Sequence, residues 1–307
     1  MNLVANLHKN ILATVTYYDV LDFPLTPYEL WRQLISYQET SSTDKAKLKD
    51  VLLALATPEL QKKLEQKNGF IFLPEREALV RESIQREKHS ARKLEKMKSL
   101  VNILAVMPYV RMVAATGSLA LKHGKRESDW DMFIVLQAGK IWIGRFILTS
   151  FLHLIGKRRH GKKIQDRACL NYFVADDRLE IMNKDLYGAH EYQTMRLLYG
   201  TKTFARFEMA NRWISRFKPQ YGVTFLQDRF TLRESFWKRH VQAFLEAFVR
   251  GLPATSLCVA WQKKKIAKNP NTQLLGSYIE ASDQALVFLP HPRGPKVFTE
   301  FKKRLSF

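Results

Sequence analysis

Residues 113 to 135 read VAATGSLALKHGKRESDWDMFIV, and the rest of the chain is best understood from this stretch outward. An apolar run, Val113 to Ala115, leads into Gly117 and Ser118. After ten intervening residues Asp129 and Asp131 open a second apolar run, Met132 to Leu136. This layout predicts two strands joined by a short helix. Small residues at the end of the first strand leave backbone N–H groups bare at a helix N-terminus, where a phosphate docks. Strand alternation puts Asp129 and Asp131 on one face and turns Trp130 to the other. Two carboxylates one strand repeat apart, beside such a cradle, suit Mg²⁺ held jointly by protein oxygens and substrate phosphates.

Downstream, a helix is predicted from Ile141 to Ile155. The run Ile141 to Gly156 is apolar but only 16 residues long and carries Arg145 and His153, which is too short for a bilayer and suits a core helix. Residues 157 to 163, KRRHGKK, hold five Lys or Arg in seven. Such a loop is a clamp for a triphosphate or a nucleic-acid backbone, or equally a segment kept solvated by its charge. Ala168 to Ala175, ACLNYFVA, reads as a third buried strand with Asn171 as its one polar residue.

The arrangement Gly117-Ser118, ten residues, Asp129-Trp130-Asp131 resembles the active-site signature of the DNA polymerase beta-like nucleotidyltransferase superfamily. TGSLAL and SDWDMFIV are similar to a bacterial and archaeal branch of it in which a winged-helix-like segment precedes the transferase domain. The resemblance implies an α+β chain: a winged-helix-like domain over 1–80, a bridging helix over 81–107, a nucleotidyltransferase α/β core with a small mixed sheet over 108–182, and a mainly helical region over 183–307. It implies transfer of a nucleoside monophosphate from an NTP, ATP foremost, to an acceptor hydroxyl. Asp129 and Asp131 would hold two Mg²⁺ ions. Gly117 and Ser118 would cradle the β- and γ-phosphates, with Lys122, Lys125 and Arg126 as phosphate partners. Members of the superfamily supply a third carboxylate from a strand next to the acid-bearing one. At the matching point this chain has Asn171, which can ligate Mg²⁺ but cannot act as a general base. Asp166, Asp176 and Asp177 are the alternatives near the strand ends. A second function class stays open on that account, a regulatory or nucleic-acid-binding protein whose degenerate transferase domain binds nucleotide without turnover. Modification of a protein partner is a third.

Upstream, helical spacing runs from Leu7 to Tyr18. Thr26-Pro27-Tyr28-Glu29 announces a second helix with an N-cap Thr, a Pro at the first position and a Glu three residues after the cap, continuing through Leu34 and Ile35. A polar break from Glu39 to Thr43 precedes a third helix from Asp44 to Ala56. Leu60 to Glu65, the turn Lys67-Asn68-Gly69 and Phe70 to Leu73 read as a two-stranded wing. A long, doubly charged helix runs from Leu79 to Val106. After Lys184 helices are expected over 185–200, 204–217 and 232–251, with a final one from Val297 to Leu305. Asp185, His190 and Glu191 are expected in ordinary surface and packing roles.

The 307 residues allow two or three domains. The chain carries 50 Lys plus Arg against 29 Asp plus Glu, a formal charge of +21. That excess is uneven: residues 1–80 are net −1, so 81–307 carry net +22. RNA or another polyanion is the partner such a surface attracts. The near-neutral N-terminal segment argues for protein docking or a structural role over sequence-specific DNA binding. Cys169 and Cys258, the only cysteines, have no thiol partner at a metal-ligand spacing and read as free thiols of a cytoplasmic protein. No signal peptide and no membrane partner are expected.

Overall fold

The computed structural model, mixed α+β, describes residues 2–36, 45–222, 229–251 and 255–305. Its first part contains α1 (Asn2–Val20), α2 (Pro27–Arg32), α3 (Leu48–Leu55), α4 (Pro58–Gln61) and a hairpin of β1 (Glu65–Lys67) and β2 (Phe70–Phe72). Helix α2 begins at the expected cap. The Glu29 N–H donates to Thr26 Oγ1 at 3.3 Å while the Thr26 N–H donates back to the Glu29 carboxylate at 3.0 Å. The helix stops at Arg32, earlier than expected, yet Leu34 and Ile35 remain buried beyond it. Asn68 and Gly69, with φ of 50° and 79°, make the tight hairpin turn that strand twist favours. Leu60 belongs to α4, so the first hairpin strand starts five residues later than its apolar start suggested. Asp44 and the break from 39 to 43 lie outside the described residues, and the third helix is described from Leu48.

The middle of the chain forms α5 (Ala78–Leu104), β3 (Val110–Ala115), α6 (Gly117–Ala120), β4 (Trp130–Leu136), α7 (Ile141–Leu154) and β5 (Ala168–Ala175). Then follow α8 (Leu186–Gln193), β6 (Arg196–Tyr199), α9 (Thr201–Ala210), α10 (Phe236–Arg250), α11 (Thr255–Ala267), β7 (Tyr278–Ala281), β8 (Ala285–Leu289) and α12 (Gly294–Arg304). The larger sheet has the order β6-β3-β4-β5-β8-β7, with β4 and β5 parallel and the other neighbours antiparallel. Half its strands therefore come from beyond residue 182, in a region expected to be mainly helical. Among the described residues five α-helices do run there, but β6 closes one side of the sheet and β8 with β7 extends the other.

Because β4 is central, both its faces are covered, which explains its unbroken apolar run. Trp130, Met132 and Ile134 join Val113 and Ala115 under α5 and α7. Phe133 and Val135 join Met112 and Ala114 against α8 and α9. By the same alternation Asp131 shares the α8 side of the sheet with Phe133. The N-terminal helices pack around Ile11, Tyr17, Leu30 and Val51, and Leu186 of α8 with Phe301 of α12 completes that core.

Candidate functional site

At the point where β3 ends, Gly117 takes φ of +63°, which brings its backbone against β4. A Cβ placed there would stand 2.7 Å from Asp131 Oδ2, so this position requires glycine on grounds of both space and conformation. The turn and the acids thus meet. Thr116, Gly117, Ser118, Asp129 and Asp131 line one open cleft of about 1250 Å³, together with residues of β5, α8, α11 and the approach to α12. Trp130 is 1% exposed on the opposite face, as alternation requires.

Strand register decides what stands next to the acids. Asp131 pairs with Cys169 on β5, whereas Phe133 pairs with Tyr172, so β5 carries one extra residue between them. Asn171 falls in that irregularity. It lines the cleft, but Cys169 occupies the place beside Asp131 that Asn171 was expected to hold. Asp129, Asp131 and Cys169 each offer a ligand atom within 4.8 Å of the others. Burial, and then the two neighbouring carboxylates, push the Cys169 thiol up to about 12, so it keeps its proton at neutral pH. The hard donors of this trio are the two carboxylates, which suits an ion such as Mg²⁺ that takes its remaining ligands from water and phosphate.

The electrostatics also point to a cation. Burial, followed by repulsion from Asp129, raises Asp131 to about 6. Arg159, from the basic loop, donates to Asp129 Oδ2 at 2.6 Å and reaches Cys169 Sγ at 3.5 Å. A guanidinium therefore already stands at the carboxylate pair, where positive charge is favoured. Arg293, at the N-terminal end of α12, adds a second positive field that opposes the rise at Asp131.

A third carboxylate does reach the cleft, that of Glu191, expected in an ordinary surface or packing role. Glu191 on α8 lines the cleft together with Gly117 and Tyr187, and burial with repulsion from Asp131 lifts it to about 7. Its helix neighbours have the packing roles expected. Asp185 caps α8 by accepting from the Gly188 N–H at 2.6 Å, and buried His190 lies 2.9 Å from the Tyr18 hydroxyl. Among the described residues, the other carboxylates considered as a third ligand are committed elsewhere or stand outside the cleft. Asp166 binds Lys93 and Lys96 at 2.9 and 2.6 Å, Asp176 accepts from the Ala138 N–H, and Asp177 is not among the lining residues.

The expected phosphate partners are not in the cleft either. Lys122 pairs with Glu87 at 2.9 Å and borders a different pocket, and Lys125 and Arg126 are exposed away from the acids. Closeness in sequence to the acids thus did not bring these three side chains into the cleft lining. Cations reach the cleft instead from later in the chain, as Arg145, Arg158, Arg159, Lys265 and Arg293. Matched against protein-family models, curated proteins and solved structures, the chain returns no match in any of the three.

Proposed function

We propose that the protein is a Mg²⁺-dependent nucleotidyltransferase of the polymerase beta-like type, moving a nucleoside monophosphate from an NTP to an acceptor hydroxyl with release of pyrophosphate. The observation that carries this reading is the meeting of the Gly117 turn with Asp131 in a cleft that also admits Asp129. The cleft volume accommodates a nucleotide with room for an acceptor. Asp129 and Asp131 would hold Mg²⁺, which when bound supplies charge neutralisation for phosphate oxygens. Arg159 and Arg293 bring guanidinium groups suited to the triphosphate. Ser118 offers its hydroxyl at the same turn.

In the transfer the acceptor oxygen forms a bond to the α-phosphorus as the bond to the pyrophosphate oxygen breaks. The acceptor proton then needs a base. Glu191, raised to about 7 and lining the same cleft, has the affinity for it that Asn171 lacks. We read the N-terminal helices and hairpin as winged-helix-like, with a near-neutral charge that suits protein docking. The +22 balance of 81–307 suits an RNA or another polyanion as acceptor or ligand.

A second reading has its own support. Arg159 on Asp129, a thiol at the third position and Glu191 beside the Gly117 turn all fit a domain that binds nucleotide without turning it over. One experiment separates the two. The protein is incubated with each labelled NTP and Mg²⁺, with and without RNA, and pyrophosphate release is followed. Under the transferase reading release occurs and Asp129→Ala combined with Asp131→Ala abolishes it, while the variant keeps a cooperative melting transition. Undiminished transfer by that double variant excludes the site, and binding without release at any acceptor supports the second reading.

A further inference from the structure

Helix α10 is mounted inside out. Its polar side chains face the protein: Gln242 donates to the Met107 and Val110 carbonyls at 2.9 and 2.8 Å, and Glu246 accepts from the Tyr109 N–H and from Arg111, both at 2.9 Å. Lys238, nearby on the same helix, donates to Asn102 of α5. Its aromatic side chains face outward, with Trp237 76% and Phe244 72% exposed. At about 100° per residue Phe244, Trp237, Phe248 and Val241 fall within an arc of about 60°, with Phe236 further round toward Arg239 and Arg250 on one flank. Scattered apolar residues on a surface are ordinary, but a continuous aromatic stripe opposite a hydrogen-bonded polar side is not.

We propose that α10 is a peripheral membrane anchor that lays this stripe into the interface of an anionic lipid bilayer. Charge selects this occupant. Residues 229–251 carry five Lys or Arg against two acids, Glu234 and Glu246. Glu246 is turned inward to Arg111 and Glu234 pairs with Arg239 at 3.1 Å. A second copy of the chain would thus bring the same positive flank and no free acid to meet it, whereas anionic headgroups would neutralise it. Phe and Trp along one exposed side match a helix lying in the interface plane, with Arg250 and Arg239 beyond Phe236 on one flank. Among the described residues no helix is long and apolar enough to cross a membrane. The proposal does not depend on the transferase reading.

The test is flotation of the full chain with vesicles of phosphatidylcholine alone and with phosphatidylglycerol added. Binding is expected to the anionic vesicles, weaker by at least about tenfold on neutral vesicles or in high salt. Trp237→Glu with Phe244→Glu should lower it at least about tenfold again while the melting temperature stays put, since both side chains are outside the core. Arg239→Gln with Arg250→Gln should reduce the preference for anionic lipid. Absence of flotation at low salt, or equal flotation of the aromatic double variant, overturns the proposal. So does concentration-dependent dimerisation, or retention of RNA, that Phe244→Glu abolishes while the parent binds no vesicle.

Discussion

The cleft and the outer face of α10 break the usual sorting of side chains in opposite directions. In the cleft, Asp131 and Glu191 are drawn out of water and toward each other, and both carboxyls rise in pKa as a result. On α10, five large apolar side chains are left in water while Gln242 and Glu246 are taken in. Each arrangement is unfavourable in the free chain, and each is relieved by a different addition: positive charge in the first case, an apolar phase in the second. The contrast teaches that the two departures lie in separate regions of the molecule and can be tested independently, one by chemistry and one by lipid.

The strongest challenge to this contrast is kinetic. If the buried carboxylates serve chemistry, the rate of transfer in the parent should climb as pH rises through about 7 and Glu191 gives up its proton. Glu191→Gln should remove that limb and slow transfer by roughly 10²–10⁴-fold. A rate and profile like the parent's would make Glu191 a mere filler of the turn. Next in size is the effect on stability in chelator. Burial holds Asp131 at about 6, above its ordinary 3.8, so the proton is preferred in the folded state. Its contribution to stability is therefore full below about pH 4 and lost as pH rises through about 6. Asp131→Asn should flatten this dependence and melt higher than the parent at pH 7, by roughly a few degrees. Mg²⁺ should raise the melting temperature of the parent but not of the variant; identical thermal curves for the two proteins would remove the tension ascribed to the cleft. The smallest effect belongs to the other region. Trp237→Ser should change folding stability by no more than about 0.5 kcal/mol in the absence of lipid, measured by urea titration. A larger loss would mean that the stripe packs against the protein in solution.

The central strands, the Gly117 turn and the Asp129/Asp131 pair were legible because they depend on local rules. Strand alternation, small residues at a turn and unbroken apolar runs act over a few residues. The capping box at Thr26 and the Asn68-Gly69 turn were legible for the same reason. The parts not legible depend on register and on distant packing. Cys169 displaced Asn171 because one extra residue in β5 shifted the pairing, and no local pattern announces such an irregularity. Arg196 to Tyr199 follows α8 with no Gly or Pro between, so a four-residue strand looked like the end of a helix. Glu191 seemed ordinary because its neighbour across the cleft, the Gly117 turn, lies 74 residues earlier in the sequence. The signal available was an acid among aromatics, Tyr187 four residues before it and Tyr192 immediately after. The aromatic stripe of α10 was present in the sequence as well, but amphipathicity alone does not say which side faces the protein.

The sheet order has a consequence for biosynthesis. Once residue 175 has left the ribosome the chain holds Gly117, Ser118, Asp129 and Asp131, but β5 has no outer neighbour and β3 has one exposed edge, because β6, β7 and β8 are translated later. Arg293 arrives last of the cleft's cations. The nascent protein therefore passes through an interval with unpaired strand edges, which favour aggregation, and with an unfinished pocket.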